Sequence, residues 1–308
     1  MAESVLVLGA GGFIGQALVR ALARHGESVI AVSRRPTRFN DGNVEQVIAE
    51  FREPADFLPL LARSRAVVHL ASRSTPASSA GQPLSELQDN LRPTLALLQA
   101  LQSRPTCSLL YVSSAGSLYG SPLPAAATEH DIARPRSYHG AGKAAAEHFV
   151  NAWCNQYSGA ATVLRPSNVY GPGQPERDGF GIVPGAFGKL LRQETLTVWG
   201  DGSAIRDYLY IQDFIDLCLL ILGTPMQKGF RVFNAASGIG VDLNTLFEKI
   251  EAVSGHRLLR SHDHSRVVDI ACTVIDCSLV KQAFGWEAKT DLGEGLEQTW
   301  AWFNTTPR

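Results

Sequence analysis

A chain of 308 residues with 45% hydrophobic content is long enough to bury a large core, as one domain or as a domain with a smaller lobe. Its 28 Lys and Arg against 29 acids leave a net charge of −1; this excludes a bulk field that would recruit nucleic acid or an anionic membrane, so any anionic ligand is held by local groups. The five cysteines (Cys107, Cys154, Cys218, Cys272 and Cys277) are scattered, without Cys-x-x-Cys or paired spacing with histidine, and are expected as free, mostly buried thiols.

The amino terminus leads into the apolar run Val5–Leu8 with no basic segment, long apolar stretch or cleavage site. Neither a signal peptide nor a membrane anchor is expected, and the cytoplasm is the expected compartment. Glycines at 9, 12 and 15 follow, then Phe13, Ile14 and the helical stretch Gln16–Arg24. Strand, tight turn and helix in that order bring bare backbone N–H groups and a helix N-terminus to one point, which suits a pyrophosphate. A dinucleotide is the expected ligand.

The second predicted strand, Val29–Val32, ends in Ser33-Arg34-Arg35, where NAD enzymes usually place an acid for the adenosine ribose. Guanidinium groups and a hydroxyl suit a 2′-phosphate, so NADP is expected ahead of NAD; the competing reading is a pair of solvated arginines. Glu50-Phe51 and Leu70-Ala71-Ser72, at the ends of the next two strands, are expected to flank the adenine and the diphosphate. Further apolar runs at Val67–Leu70, Leu109–Val112 and Thr162–Leu164 alternate with helical periodicity at Leu18–Arg24, Leu84–Leu101 and Ala141–Trp153. This alternation predicts an α/β fold with a doubly wound parallel sheet covered on both faces.

After Arg165-Pro166 the pattern loosens into loops rich in Gly and Pro (171–188), a β-like run at Leu196–Trp199, and helices at Leu243–Val253 and Leu292–Trp302. A smaller mixed C-terminal lobe is expected. The predicted division is 1–166 for the dinucleotide, with 205–236 returning to it, and 167–204 with 237–308 for the substrate, which is expected between lobe and sheet. His262-Asp263-His264 reads as a solvated turn, and no metal is expected.

Together, Gly9-Ala10-Gly11-Gly12-Phe13-Ile14-Gly15, Val68-His69-Leu70-Ala71, Asp89-Asn90, Ser113-Ser114, Tyr119-Gly120, Leu164-Arg165-Pro166-Ser167-Asn168-Val169-Tyr170-Gly171-Pro172-Gly173, Gly200-Asp201-Gly202, Arg206-Asp207-Tyr208 and Phe284-Gly285-Trp286 carry a resemblance. The chain resembles the extended short-chain dehydrogenases, specifically the nucleotide-sugar epimerases and dehydratases of the UDP-glucose 4-epimerase type. The order and spacing of these segments extend over essentially the whole chain. The resemblance implies a Rossmann fold with a substrate lobe, a place for Asn90 in the cofactor site, and a homodimer built on Leu84–Leu101 and Ala141–Trp153.

In that family a tyrosine exchanges a proton with the sugar hydroxyl, and a lysine four residues on lowers its pKa and binds the nicotinamide ribose. Matching Tyr-Gly-x-x-Lys-x-x-x-Glu onto this chain gives His139-Gly140-Ala141-Gly142-Lys143-Ala144-Ala145-Ala146-Glu147, so histidine holds the tyrosine position. Tyr138 stands immediately before it, rotated by about 100° in a regular helix. The family's catalytic Ser or Thr falls on Ala115, with hydroxyls nearby at Ser113, Ser114 and Ser117. Dehydratases carry an Asp-Glu pair after that hydroxyl; Ala115-Gly116-Ser117 has no acid, so dehydration is not expected. Three readings stay open. His139 is itself the acid/base, its neutral form favoured by Lys143; Tyr138 swings in through an irregular helix start; or the triad is lost and the protein binds without turnover.

The resemblance also assigns Asn168, Arg206 and Arg266 to the nucleotide diphosphate and Asp269 to its ribose, where fixed forks and amide donors suit the anion better than bulk charge. Phe180, Phe187 and Trp199 are expected in the core. The function implied is epimerisation of a nucleotide-diphosphate sugar by transient hydride transfer at a ring carbon, C4. The alternatives are an NADPH-dependent reductase of a nucleotide-4-keto-sugar, favoured by Arg34-Arg35, and a binding protein without catalysis.

Overall fold

The computed structural model describes residues 3–120, 126–177, 180–265 and 270–305. In chain order the strands are β1 (Ser4–Leu8), β2 (Val29–Ser33), β3 (Val44–Ile48), β4 (Ser64–His69), β5 (Ser108–Val112), β6 (Ala160–Pro166), β7 (Asn168–Tyr170), β8 (Leu196–Trp199), β9 (Ile205–Tyr210), β10 (Gly229–Ala235), β11 (Gly240–Asp242) and β12 (Arg260–Asp263). The helices are α1 (Phe13–Arg24), α2 (Pro54–Leu61), α3 (Pro83–Glu86), α4 (Arg92–Leu101), α5 (Ala115–Leu118), α6 (Tyr138–Tyr157), α7 (Ile182–Arg192), α8 (Ile211–Gly223), α9 (Leu243–Ser254), α10 (Ser278–Phe284) and α11 (Leu292–Thr305).

The chain divides into two compact units, the first formed by 1–114, 137–165 and 215–233, the second by 115–136, 166–214 and 234–308. A seven-stranded sheet in the order β10-β6-β5-β4-β1-β2-β3 organises the first. From β6 to β3 every pairing is parallel. Val5, Leu6 and Val7 of β1 are fully buried, as expected where helices cover both faces and the strands are continuously apolar. Leu6, Ile30, Phe57, Leu97, Leu109, Val150, Trp153 and Val163 build one core from strands, α2, α4 and α6. Winding reverses at β1, with β2 on one side and β4 on the other, and the glycine turn leaves at that switch point.

The second unit holds a three-stranded sheet, β11-β9-β7, with one antiparallel and one parallel pairing, and the parallel pair β12-β8. Asp207 at its centre is fully buried because Ser167, Ser237 and the Gly238 N–H all donate to it. No described helix is long and apolar enough to cross a membrane.

Several expectations need correction. The stretch read as one helix, 84–101, is α3 and α4 joined by a wider π-helical turn at Leu87–Leu91 that carries Asp89 and Asn90. His262 lies in β12 and not in a turn, with Nδ1 on the Gly200 carbonyl at 2.9 Å. Phe187 is fully buried as expected, whereas Phe180 and Trp199 are exposed. All five thiols are free, and burial pushes the Cys107 thiol up to about 12.

Candidate active site

The turn after β1 shows what its glycines do. Gly9 has φ of 91°, and a Cβ there would meet the Ala71 backbone N at 2.7 Å. A Cβ on Gly15 would lie 2.2 Å from the Gly9 carbonyl oxygen, so this glycine lets α1 pack onto the turn. Gly12 caps α1 without a side-chain acceptor, and no acid stands in the first turn, leaving the N–H groups of Phe13, Ile14 and Gly15 for an anion. The Leu70 N–H donates to the Leu8 carbonyl, which sets Leu70-Ala71-Ser72 beside the turn.

At the end of β2, buried Ser33 donates to the Arg35 carbonyl at 2.7 Å. Arg34 and Arg35 are exposed, and neither guanidinium makes an ion pair with a described residue. Glu50, by contrast, is engaged: Arg73 lies 2.8 Å away and Arg52 3.3 Å away. Phe51 packs edge-on against Phe57 at the margin of the core. Asn90 is engaged as well, its Oδ1 taking the Arg73 N–H at 2.7 Å and its Nδ2 donating to Ser74 Oγ at 2.9 Å.

Helix α6 starts regularly. Ser137 caps it in an extended conformation, its hydroxyl accepting the Gly140 N–H at 3.1 Å. The irregular start that would swing Tyr138 inward is therefore absent; Tyr138 is the first helical residue, and it is 44% exposed. His139 and Lys143, one turn apart, are each 8% exposed. Lys143 Nζ donates to the Val112 carbonyl at the end of β5 at 2.8 Å and lies 4.9 Å from the Tyr111 ring centroid. Burial pulls Lys143 down to about 8, against the pull of Glu86 and Glu147. Burial, and then the Lys143 charge, hold His139 at about 4, so its imidazole is neutral near pH 7.

His139 Nδ1 is 2.9 Å from Ser74 Oγ, Ser74 donates to Glu86 Oε2 at 2.5 Å, and the His139 backbone N–H donates to Ser79 Oγ at 3.1 Å. Neither Ser74 nor Glu86 lies in any motif quoted from the sequence. The one available signal was the histidine itself, which needs a partner to set its tautomer. Ser113 Oγ is buried without a partner among the described residues, Ser114 is half-buried, and Ser117 is buried in α5, as is Ala115, which is fully enclosed.

In the second unit, Asn168 is exposed and donates to the Asp207 carbonyl at 2.8 Å, and half-buried Arg206 donates to the Ile205 carbonyl at 2.8 Å. Arg266 and Asp269 lie outside the described residues. No group of His, Cys, Asp and Glu among the described residues could hold a metal ion.

The model of the NAD dependent epimerase/dehydratase family matches residues 5–236. The chain belongs to that family. It is 31% identical to a UDP-glucose 4-epimerase of Mycolicibacterium smegmatis, over 97% of both chains. It is 29% identical to a dTDP-4-dehydro-6-deoxy-D-allose reductase of a Streptomyces species, over 99% of this chain and 98% of the other. A solved UDP-glucose 4-epimerase of Thermus thermophilus, in complex with NAD, has 26% identity and a TM-score of 0.90 over 99% of this chain and 100% of that one. Family membership makes this an enzyme of nicotinamide chemistry, and the glycine cradle with its uncapped helix fits such a dinucleotide.

Proposed function

We propose that this protein is a nucleotide-sugar 4-epimerase in which His139 takes the tyrosine's part as acid/base. The observation that carries the reading is the pairing, on one buried face of α6, of a neutral imidazole with Lys143. A bound nicotinamide supplies a reversible hydride acceptor. His139 takes the proton of the sugar 4-hydroxyl and later returns it; Lys143 supplies positive charge beside the forming oxyanion and holds the nicotinamide ribose. Glycines 9, 12 and 15 with Phe13 and Ile14 hold the diphosphate, flanked by Glu50, Phe51, Leu70, Ala71, Ser72 and Asn90. Ser114 and Ser117 supply further hydroxyls, and Asn168, Arg206, Arg266 and Asp269 hold the sugar nucleotide. On this reading the first unit is the dinucleotide domain and the second the substrate lobe. Exposed Leu84, Leu87 and Phe149 support pairing of two copies through the helices that bear them.

The exposed Arg34 and Arg35 support NADP as the cofactor. They also favour one second reading, reduction of a 4-keto sugar by exchanging NADPH, in line with the reductase relative. Both readings are tested by mixing the enzyme with NAD, NADP or their reduced forms and a panel of UDP-, dTDP- and GDP-sugars and their 4-keto forms, following reduced-nicotinamide absorbance. Interconversion of the sugars with no net absorbance change is the expected result. Stoichiometric loss of NADPH to a keto sugar establishes the reductase, and cofactor binding without hydride movement removes both. The variant Arg34→Ala/Arg35→Ala is expected to weaken NADP binding by about tenfold or more while sparing NAD.

A further inference from the structure

We infer that Ser74 and Glu86 form a positioning relay that holds His139 in its Nδ1–H tautomer and leaves Nε2 as the basic nitrogen. The inference rests on His139 being the acid/base and adds what makes it one.

The hydrogen-bond arithmetic at Ser74 Oγ decides the tautomer. Asn90 has its amide orientation fixed by the Arg73 N–H on Oδ1, so Nδ2 donates to Ser74. The Glu86 carboxylate accepts, so the single Ser74 proton goes to Oε2. Both remaining lone pairs of Ser74 then face donors, and the second donor is His139 Nδ1–H at 2.9 Å. His139 Nε2 has no hydrogen-bond partner among the described residues, and its lone pair is free for a substrate proton. When that proton arrives, Nδ1–H stays on Ser74, and the imidazolium sits one hydroxyl away from a buried carboxylate. Glu86 thus balances the charge without having to take the proton.

The surroundings are built for this contact. Glu86 is buried although it stands at the end of a short helix, because Gly142 makes room for it on α6: a Cβ at 142 would lie 2.5 Å from Glu86 Oε1. Ser79, itself buried, takes the His139 backbone N–H and donates to the Pro76 carbonyl at 3.1 Å, bracing the segment that carries Ser74. The charged and titratable groups around the pair are Lys143 on the same helix face, Glu86 from α3, and, about Lys143, Glu147 on α6, Tyr111 on β5 and His69 on β4.

The test is nitrogen-15 NMR of histidine-labelled full-length protein at neutral pH, with kinetics of Ser74→Ala, Ser74→Thr, Glu86→Gln and Gly142→Ala. Wild type is expected to show His139 protonated on Nδ1 alone. Ser74→Ala and Glu86→Gln are expected to mix the tautomers and lower kcat by about 10- to 100-fold with KM for the sugar nucleotide little changed. Ser74→Thr is expected to restore both. Gly142→Ala, which keeps every polar partner but displaces the carboxylate, is expected to act like Glu86→Gln. An Nε2–H tautomer in the wild type overturns the relay whatever the variants do. His139→Ala that is inactive, beside Ser74→Ala and Glu86→Gln at wild-type kcat, also overturns it and leaves the base in place. His139→Ala at full activity removes base and relay together.

Discussion

At the scale of single residues, pH dependence is the sharpest consequence. On the proposed mechanism His139, held near 4 by burial and then by Lys143, must be neutral to accept a proton, and Lys143, lowered by burial to about 8, must stay charged to help an oxyanion. The rate kcat/KM is therefore expected to be level between about pH 5 and 7, falling tenfold per unit below about 4 and above about 8. An acid limb that survives in His139→Asn assigns it to another group. Gly15→Ala makes a second residue-scale prediction. With 2.2 Å between the new Cβ and the Gly9 carbonyl oxygen, the turn must open, and a fluorescence titration with reduced cofactor is expected to show binding weakened by at least 100-fold. The glycine turn was legible in the sequence because its spacing is dictated by backbone sterics. The acid/base was open in the sequence between His139, Tyr138 and a lost triad, since a substitution in a motif does not say which neighbour turns inward; the capped, regular start of α6 with Tyr138 exposed supports His139.

Among elements, α6 is fastened to the sheet by an ion pair rather than by apolar contact alone. Arg165 of β6 meets Glu147 of α6 at 2.6 Å, with both side chains buried. Glu147→Gln removes the carboxylate charge from beside a buried guanidinium and is expected to cost about 3 to 5 kcal/mol in denaturant unfolding. Adding Arg165→Met is expected to recover much of that loss, and failure to do so would give Glu147 another role. Strands β1, β2, β4, β5 and β6 could be read ahead because burial on both faces makes them unbroken apolar runs. Strand β10, at the edge of the same sheet, escaped: Gly229-Phe230-Arg231-Val232 is only half-buried and shows no such run. The break between α3 and α4 escaped for a different reason. Apolar spacing through 84–101 fits one helix, and a single wide turn shifts the phase too little to be seen in it.

For the whole molecule, acid is the informative perturbant. Burial holds His69 at about 3 and His139 at about 4, both further lowered by Lys143, whereas an unfolded histidine titrates at 6.5. Below 6.5 the unfolded chain binds protons that the native chain refuses. The contribution of the two histidines is therefore fully present above 6.5 and is lost as pH falls toward the native values, by up to about 3 kcal/mol per pH unit for both together. Asp207, whose carboxyl burial pushes up, works in the opposite sense. Urea midpoints at pH 7 and 5 are expected to separate clearly in the wild type. In His69→Asn the separation should shrink by about half, and an equal separation would place the proton uptake elsewhere.

The clearance at Gly142 reaches beyond this one chain. Because the carboxylate of Glu86 occupies the volume that a side chain at 142 would need, the two positions form a steric pair and are not free to vary separately. A relative that gains alanine at the site of Gly142 has to shorten or retract the residue at the site of Glu86. Among sequences with histidine at the site of His139, a long acid at 86 and glycine at 142 should accordingly arrive together and disappear together.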